Sequence, residues 1–281
     1  MTSLRTIIAS AWMGIRHDIA WTTPVLSLAL RAVAPFASAM TVSIIYWFGT
    51  SSGSAVAFTP ARLAFVLFGS TLYAHVAAYA WVPTVAIAEG KNLAVFPHIY
   101  LTSRSTAFYL AGRLLSAFVI STITSIAALT LAYYVLGYFL SVHIPVTITF
   151  ASVLMLAAAL VANIPAALGL GYLLGAYSLY ASKFEWSLPG YVAGLLMVFS
   201  GALFPTTVLP WPISVGASYL PFTQFIAAAR GALLGIPFGD YLSSMGLTLL
   251  GGGILLTISL FTYFASERKA RKDGVLDRRL A

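Results

Sequence analysis

The 281 residues are 60% hydrophobic and 8% charged, with a mean hydropathy of +0.93, whereas a soluble domain carries charge on about a quarter of its residues. This excludes an ordinary soluble domain and indicates an all-α polytopic membrane protein. The absence of cysteine excludes disulfides, thiolate metal sites and cysteine nucleophiles, and the net charge of +8 reads as membrane topology rather than nucleic-acid binding.

Residues 1–24 form the first predicted element. Leu4, Ile7, Ile8, Ala11, Trp12, Ile15 and Ile19 recur at helical spacing, while Arg5, Thr6, Ser10, Arg16 and His17 lie off that stripe. The pattern predicts an amphipathic helix lying in the membrane interface, with Trp12 and Trp21 at headgroup level. The other reading is a helix packed on the protein's own surface. Arg5, Arg16, His17 and Asp18 interrupt the apolar run that a signal sequence needs, so no cleavable signal is expected. Pro24 suits the first turn of the first span.

Six stretches are long and apolar enough to be read as spans: 25–49, 61–86, 107–139, 146–176, 189–205 and 241–265. They make 25–265 one transmembrane domain, followed by a basic tail at 266–281. Alternating sides leaves only Arg62 and Arg230, of fifteen Lys and Arg, on the outer face. The positive-inside bias places both termini in the cytoplasm, and the chain is expected in the cell (plasma) membrane as a multi-pass protein. The tail ERKARKDGVLDRRLA reads as a topology anchor and anionic-lipid contact.

In the second span, Ser70, Tyr73, His75, Tyr79 and Trp81 set polar and aromatic groups along an apolar helix. An ionisable group at such depth is costly, and His75 is a candidate for a substrate path. The plainer reading is a neutral imidazole satisfied by a neighbouring hydroxyl. The connection that follows, AIAEGKNLAVFPHIYLTSRSTAFYLAGRLL, is longer than a simple link requires. Charged and polar Glu89, Lys91, Asn92, His98 and Arg104 surround Leu93, Val95, Phe96, Ile99 and Leu101. Such a mixture fits a partner-binding surface, and equally a loop folded over its own helix ends.

In the fourth span, Gly169, Gly171 and Gly175 offer small surfaces for close helix packing. Asn163, two residues before Pro165, is expected to repair the backbone bonds that proline disrupts. Farther on, FSGALFPTTVLPWPISVGASYLPFTQFIAAARG is apolar yet holds Pro205, Pro210, Pro212 and Pro221, which one spanning helix would scarcely tolerate.

The connection at 86–115 and the proline-rich segment at 199–231 resemble, in order and separation, the membrane subunits of type-2 ATP-binding-cassette (ABC) exporters. Glu89, Thr102, Ser103, Gly112 and Arg113 fill the places of that family's loop after the second span. Ser200, Gly201, Phe204, Pro205, Leu209, Pro210, Pro221, Phe222, Thr223 and Arg230 follow its second signature. Glu89-Gly90-Lys91-Asn92-Leu93 and Pro97 depart from the usual coupling loop. The resemblance implies a cytoplasmic coupling loop over 87–106, carried by Glu89, Lys91, Asn92, Leu93, Phe96, His98, Thr102 and Arg104. It also implies an extracellular re-entrant helical hairpin over 205–238, before the last span. Pro210 and Pro212 would break its first arm, and Pro221 would open the second. An ordinary outer loop is the alternative. The gate or translocation path would draw on Tyr73, His75 and Tyr79 together with Phe204, Pro205, Pro210, Pro221, Thr223 and Gln224.

The chain has no Gly-x-x-x-x-Gly-Lys-Ser/Thr loop to cradle phosphates. The resemblance therefore implies an export permease with no cofactor and no metal of its own. ATP and Mg would sit on separate ABC ATPase subunits, and a second membrane subunit, identical or a paralogue, would complete the path in the bilayer. Alternatives are an ATP-independent channel or carrier, or an intramembrane lipid-modifying enzyme. The acids show no closely spaced motif for the enzyme, and no internal repeat marks a carrier.

Overall fold

The computed structural model describes residues 3–20, 22–51, 58–92, 96–102, 105–180 and 186–274, with backbone alone at 51, 89 and 102. Among them the regular elements are all helical. In chain order they are α1 (Ser3–Ile19), α2 (Pro24–Ser51), α3 (Pro60–Pro83), α4 (Gly90–Asn92), α5 (Phe96–Thr102) and α6 (Thr106–Leu140). Then come α7 (Phe150–Ala162), α8 (Ile164–Tyr180), α9 (Leu188–Phe199), α10 (Ile213–Ser218), α11 (Pro221–Leu234) and α12 (Phe238–Lys272). Five stretches are long and apolar enough to cross a membrane: α2, α3 with its continuation to Asn92, α6, α7 with α8, and α12. The chain is a membrane-embedded, multi-pass helical protein.

Local chemistry sets the helix starts. Pro24, Pro60 and Pro221 sit in first turns, where a missing amide costs no helix bond. Thr59 and Ser105 cap α3 and α6 through their side-chain oxygens, and Thr149 and Ser152 form a reciprocal capping box for α7. The fourth span is broken at Asn163. There the expected repair is made by backbone groups: the Asn163 amide donates to Ala159 and Leu160, and its carbonyl accepts from Ala167. The buried side-chain amide makes no hydrogen bond to the helix backbone.

The expected fifth span is shorter than the sequence implies. α9 covers 12 residues, about 18 Å at 1.5 Å per residue, against a hydrocarbon core of about 30 Å. It stops because Gly201 takes φ of +65°, a left-handed conformation that glycine reaches without penalty and that ends helical hydrogen bonding.

The packing seams are built from small residues. Gly169 crosses α12 so closely that a Cβ there would lie 2.9 Å from the Leu256 backbone nitrogen. Gly171 and Gly175 likewise lie against Leu114, Leu110 and Tyr263. α1 packs on α6 through Ser10 and Gly14, both buried, whereas Leu4, Ile8 and Trp12 of the apolar stripe are exposed. One face of α1 thus packs on the protein's own surface, and its apolar stripe is left exposed. α1, the start of α6 and the ends of α8 and α12 gather at one end of the bundle, called the α1 end below. The turn before α7 and the end of α11 meet at the other, where the Thr147 amide donates to the Leu233 carbonyl over 2.9 Å.

Candidate functional site

A buried polar cluster lies within the bundle. His75 on α3 is 1% exposed. Its Nε2 is hydrogen-bonded to the Tyr79 hydroxyl one turn along the same helix, and Ser121 Oγ on α6 lies 2.9 Å from its Nδ1. The rings of Phe118 and Phe225 stand 5.4 and 5.8 Å from the imidazole. Both ring nitrogens thus have partners, as the plainer reading requires. Asn163, fully buried, lies beside Tyr79. The Tyr73 hydroxyl donates to the Ala193 carbonyl at 2.7 Å and ties α3 to α9.

Ser121 also belongs to the wall of an open-sided cavity of about 570 Å³ lined mainly by α2, α3 and α6. The cavity reaches from Asp18, Arg31 and Arg113 at the α1 end to Tyr73 and Thr124 in the interior. The sequence points to Tyr73 for a path but does not place Arg31 or Arg113 there, because the cavity brings together side chains from segments about 40 to 80 residues apart. His75 itself borders only a void of about 20 Å³ on the other side, room for about one water.

At the α1 end, residues Thr84–Glu89 widen into a π-helical turn before α4 and α5. Of the residues named for coupling, Leu93 and Arg104 lie outside the described residues, and only backbone is described at Glu89 and Thr102. Lys91 is buried, and its ammonium donates to the Ser178 and Leu179 carbonyls at 3.0 and 2.8 Å, closing the end of α8. Phe96 is fully buried beside Ala107 and Leu110. These two side chains serve the protein's own interior. Asn92, His98 and Leu101 face outward, Leu101 being 73% exposed.

Next to this segment stands a carboxylate that the sequence does not single out. Glu267 of α12 accepts from Ser105 Oγ at 2.6 Å and from the Thr106 amide at 2.8 Å. It also pairs with Arg271 at 2.9 Å. The negative charge sits at the amino-terminal end of α6, where unpaired amides and the helix dipole favour an anion.

Toward the other end, Pro205 and Pro210 are exposed, Phe204 is half-buried and Pro221 is buried. Pro212 immediately precedes α10, and Pro221 opens α11. α11 starts inside the bundle: Phe222 and Phe225 share a buried cluster with Val76 and Tyr79, and Leu233 shares one with Ile144 at the far end. Thr223 is buried and donates to the Phe199 carbonyl at 3.1 Å. Gln224 donates to the Ser218 carbonyl at 2.5 Å. Arg230 donates to the Gly201 and Ala202 carbonyls at 3.1 and 3.0 Å, with its guanidinium 3.5 Å from the centre of the Phe65 ring. This arginine fixes the turn after α9 to α11.

Among the described residues no group of three or more His, Asp or Glu gathers to hold a metal. The chain matches no protein-family model and no curated protein.

Proposed function

We propose that the chain is the membrane-spanning permease subunit of a type-2 ABC exporter, driven by ATP hydrolysis on separate ATPase subunits. The observation that carries this reading is the helical segment of α4 and α5 at the α1 end, which turns Asn92, His98 and Leu101 outward while Lys91 and Phe96 anchor it beneath. A surface of this kind, fixed to the ends of α6 and α8, can pass a partner's movement into the bundle. The sequence resemblance supplies the identity of that partner. In this reading both termini and the basic tail face the cytoplasm, and α9 serves as a shortened fifth of six spans. The prolines between α9 and α11 build a re-entrant outer hairpin, covered by protein so that irregular backbone avoids lipid. Two membrane subunits enclose the path in the plasma membrane.

The test is purification of the tagged chain from its own cells in mild detergent. The account expects an ATPase with a phosphate-binding loop to copurify in a fixed ratio, with ATP hydrolysis in the complex. A folded chain that purifies without an ATPase and conducts ions when reconstituted alone would favour the channel instead.

A further inference from the structure

We propose that the cavity between α2, α3 and α6 binds one anionic amphiphile of the membrane, a phosphate-bearing lipid, with its head at Arg113 and its tail along the alanine face of α3. The proposal needs only the membrane-embedded fold and is independent of the ATPase.

Charge at the α1 end of the cavity is the first observation. Three charged side chains line it: Asp18, Arg31 and Arg113. Asp18 is already committed, because its carboxylate holds Arg31 at 2.9 Å and its backbone carbonyl accepts from Ser27 Oγ at 2.7 Å. Arg113 has no ion pair among the described residues, and its Nε is buried without a hydrogen-bond partner. A guanidinium keeps its charge and its donors at any ordinary pH. Within a membrane protein such a cation is costly unless an anion compensates it. One positive charge is left over at the cavity wall, and a bound anion would balance it.

The shape of the remainder specifies the rest of the ligand. From Val85, in the π-helical turn, to Tyr73 the wall of α3 and its continuation covers twelve residue steps, about 18 Å, close to the half-thickness of a hydrocarbon core of about 30 Å. Ala74, Ala77 and Ala78 give that wall a smooth face, and Ala117 and Ile120 stand on the α6 side. Three hydroxyls deeper in the cavity are already partnered: Ser121 donates to the Phe118 carbonyl, Thr124 to the Ile120 carbonyl and Tyr73 to the Ala193 carbonyl. A small free anion would satisfy Arg113 and leave this apolar shaft empty. A chain attached to the anion fills both, and the volume of about 570 Å³ falls in the ordinary range for a small-molecule site.

Trp81 lines the shaft and reports on its occupant. The full chain is placed in phosphatidylcholine nanodiscs and titrated with phosphatidic acid brominated along its acyl chains. The quenching lost in Trp81→Phe isolates the signal of that residue. The account expects saturable quenching of Trp81, with a midpoint raised at least about fivefold in Arg113→Gln, the scale of one lost charge-assisted contact. Lys272→Gln, which removes an exposed charge from the same end of the bundle, should leave the midpoint unchanged. Ala77→Leu narrows the shaft while keeping Arg113, and should weaken binding comparably in a chain that folds with normal yield. Equal quenching by brominated phosphatidylcholine would overturn the proposal, as would a midpoint indifferent to both Arg113→Gln and Ala77→Leu. So would inorganic phosphate binding as tightly as the lipid.

Discussion

Glu267 reaches the start of α6 from 161 residues along the chain and supplies the charge that its first amides lack. Glutamine at that position keeps the size but turns an amide donor toward groups that are themselves donors. Glu267→Gln is expected to cost about 1–3 kcal/mol, the range for leaving buried donors unpaired, and to lower the melting temperature in detergent. A melting temperature equal to that of the wild type would contradict the capping role. Phe96 behaves differently from its sequence reading for a related reason. Fully buried, it should lose about 3–5 kcal/mol of stability on truncation to alanine, so defective assembly in Phe96→Ala would report on folding before docking. Composition and spacing make an aromatic beside charges legible, but whether it faces inward depends on the neighbouring helix ends. Ser105 and Thr106 are recognisable as a helix start; the carboxylate that meets them is not, because nothing local links it to them. The same holds for Arg113, whose uncompensated charge appears only once Asp18 is seen to be held by Arg31.

At the scale of elements, the spans were legible because hydrophobic length is a property of each segment alone. α9 was overestimated because apolar residues continue past Phe199, and only the left-handed Gly201 ends the helix. The proline segment is readable as broken helix, since proline acts locally, whereas the burial of α11 in the bundle is set by α12, α7 and α3 packed against it. α1 shows the same division. Its apolar stripe is plain in the sequence, but the seam that holds it to α6 is made of Ser10, Gly14, Gly112 and Ser116, which do not stand out as a pattern. A Cβ at Gly112 would lie 2.4 Å from the Ile7 carbonyl oxygen, a backbone atom that cannot swing aside. Gly112→Ala should therefore push α1 off the bundle while the other helices persist. Limited proteolysis should then cleave the first twenty or so residues faster, with little change in the helical signal by circular dichroism. Unchanged cleavage would show that the helices yield without separating.

For the whole molecule, the proposed topology with both termini in the cytoplasm rests on the uneven distribution of Lys and Arg. With no native cysteine in the chain, single introduced cysteines report orientation cleanly. Ser141→Cys and Ser214→Cys should label from outside intact cells, and Ser266→Cys only after permeabilisation. Outside labelling at Ser266 would invert or break the proposed topology. The claim on which the functional account turns is that the exposed face of α4 and α5 meets an ATPase, and a photoreactive residue at His98 or Leu101 tests it in intact membranes of the native cell. The account predicts that irradiation joins the chain at these positions to an ATPase subunit carrying a phosphate-binding loop, and that the same group at Leu249, exposed on α12, does not capture it. Capture of no ATPase at His98 or Leu101, from membranes in which the chain is folded and abundant, would contradict it.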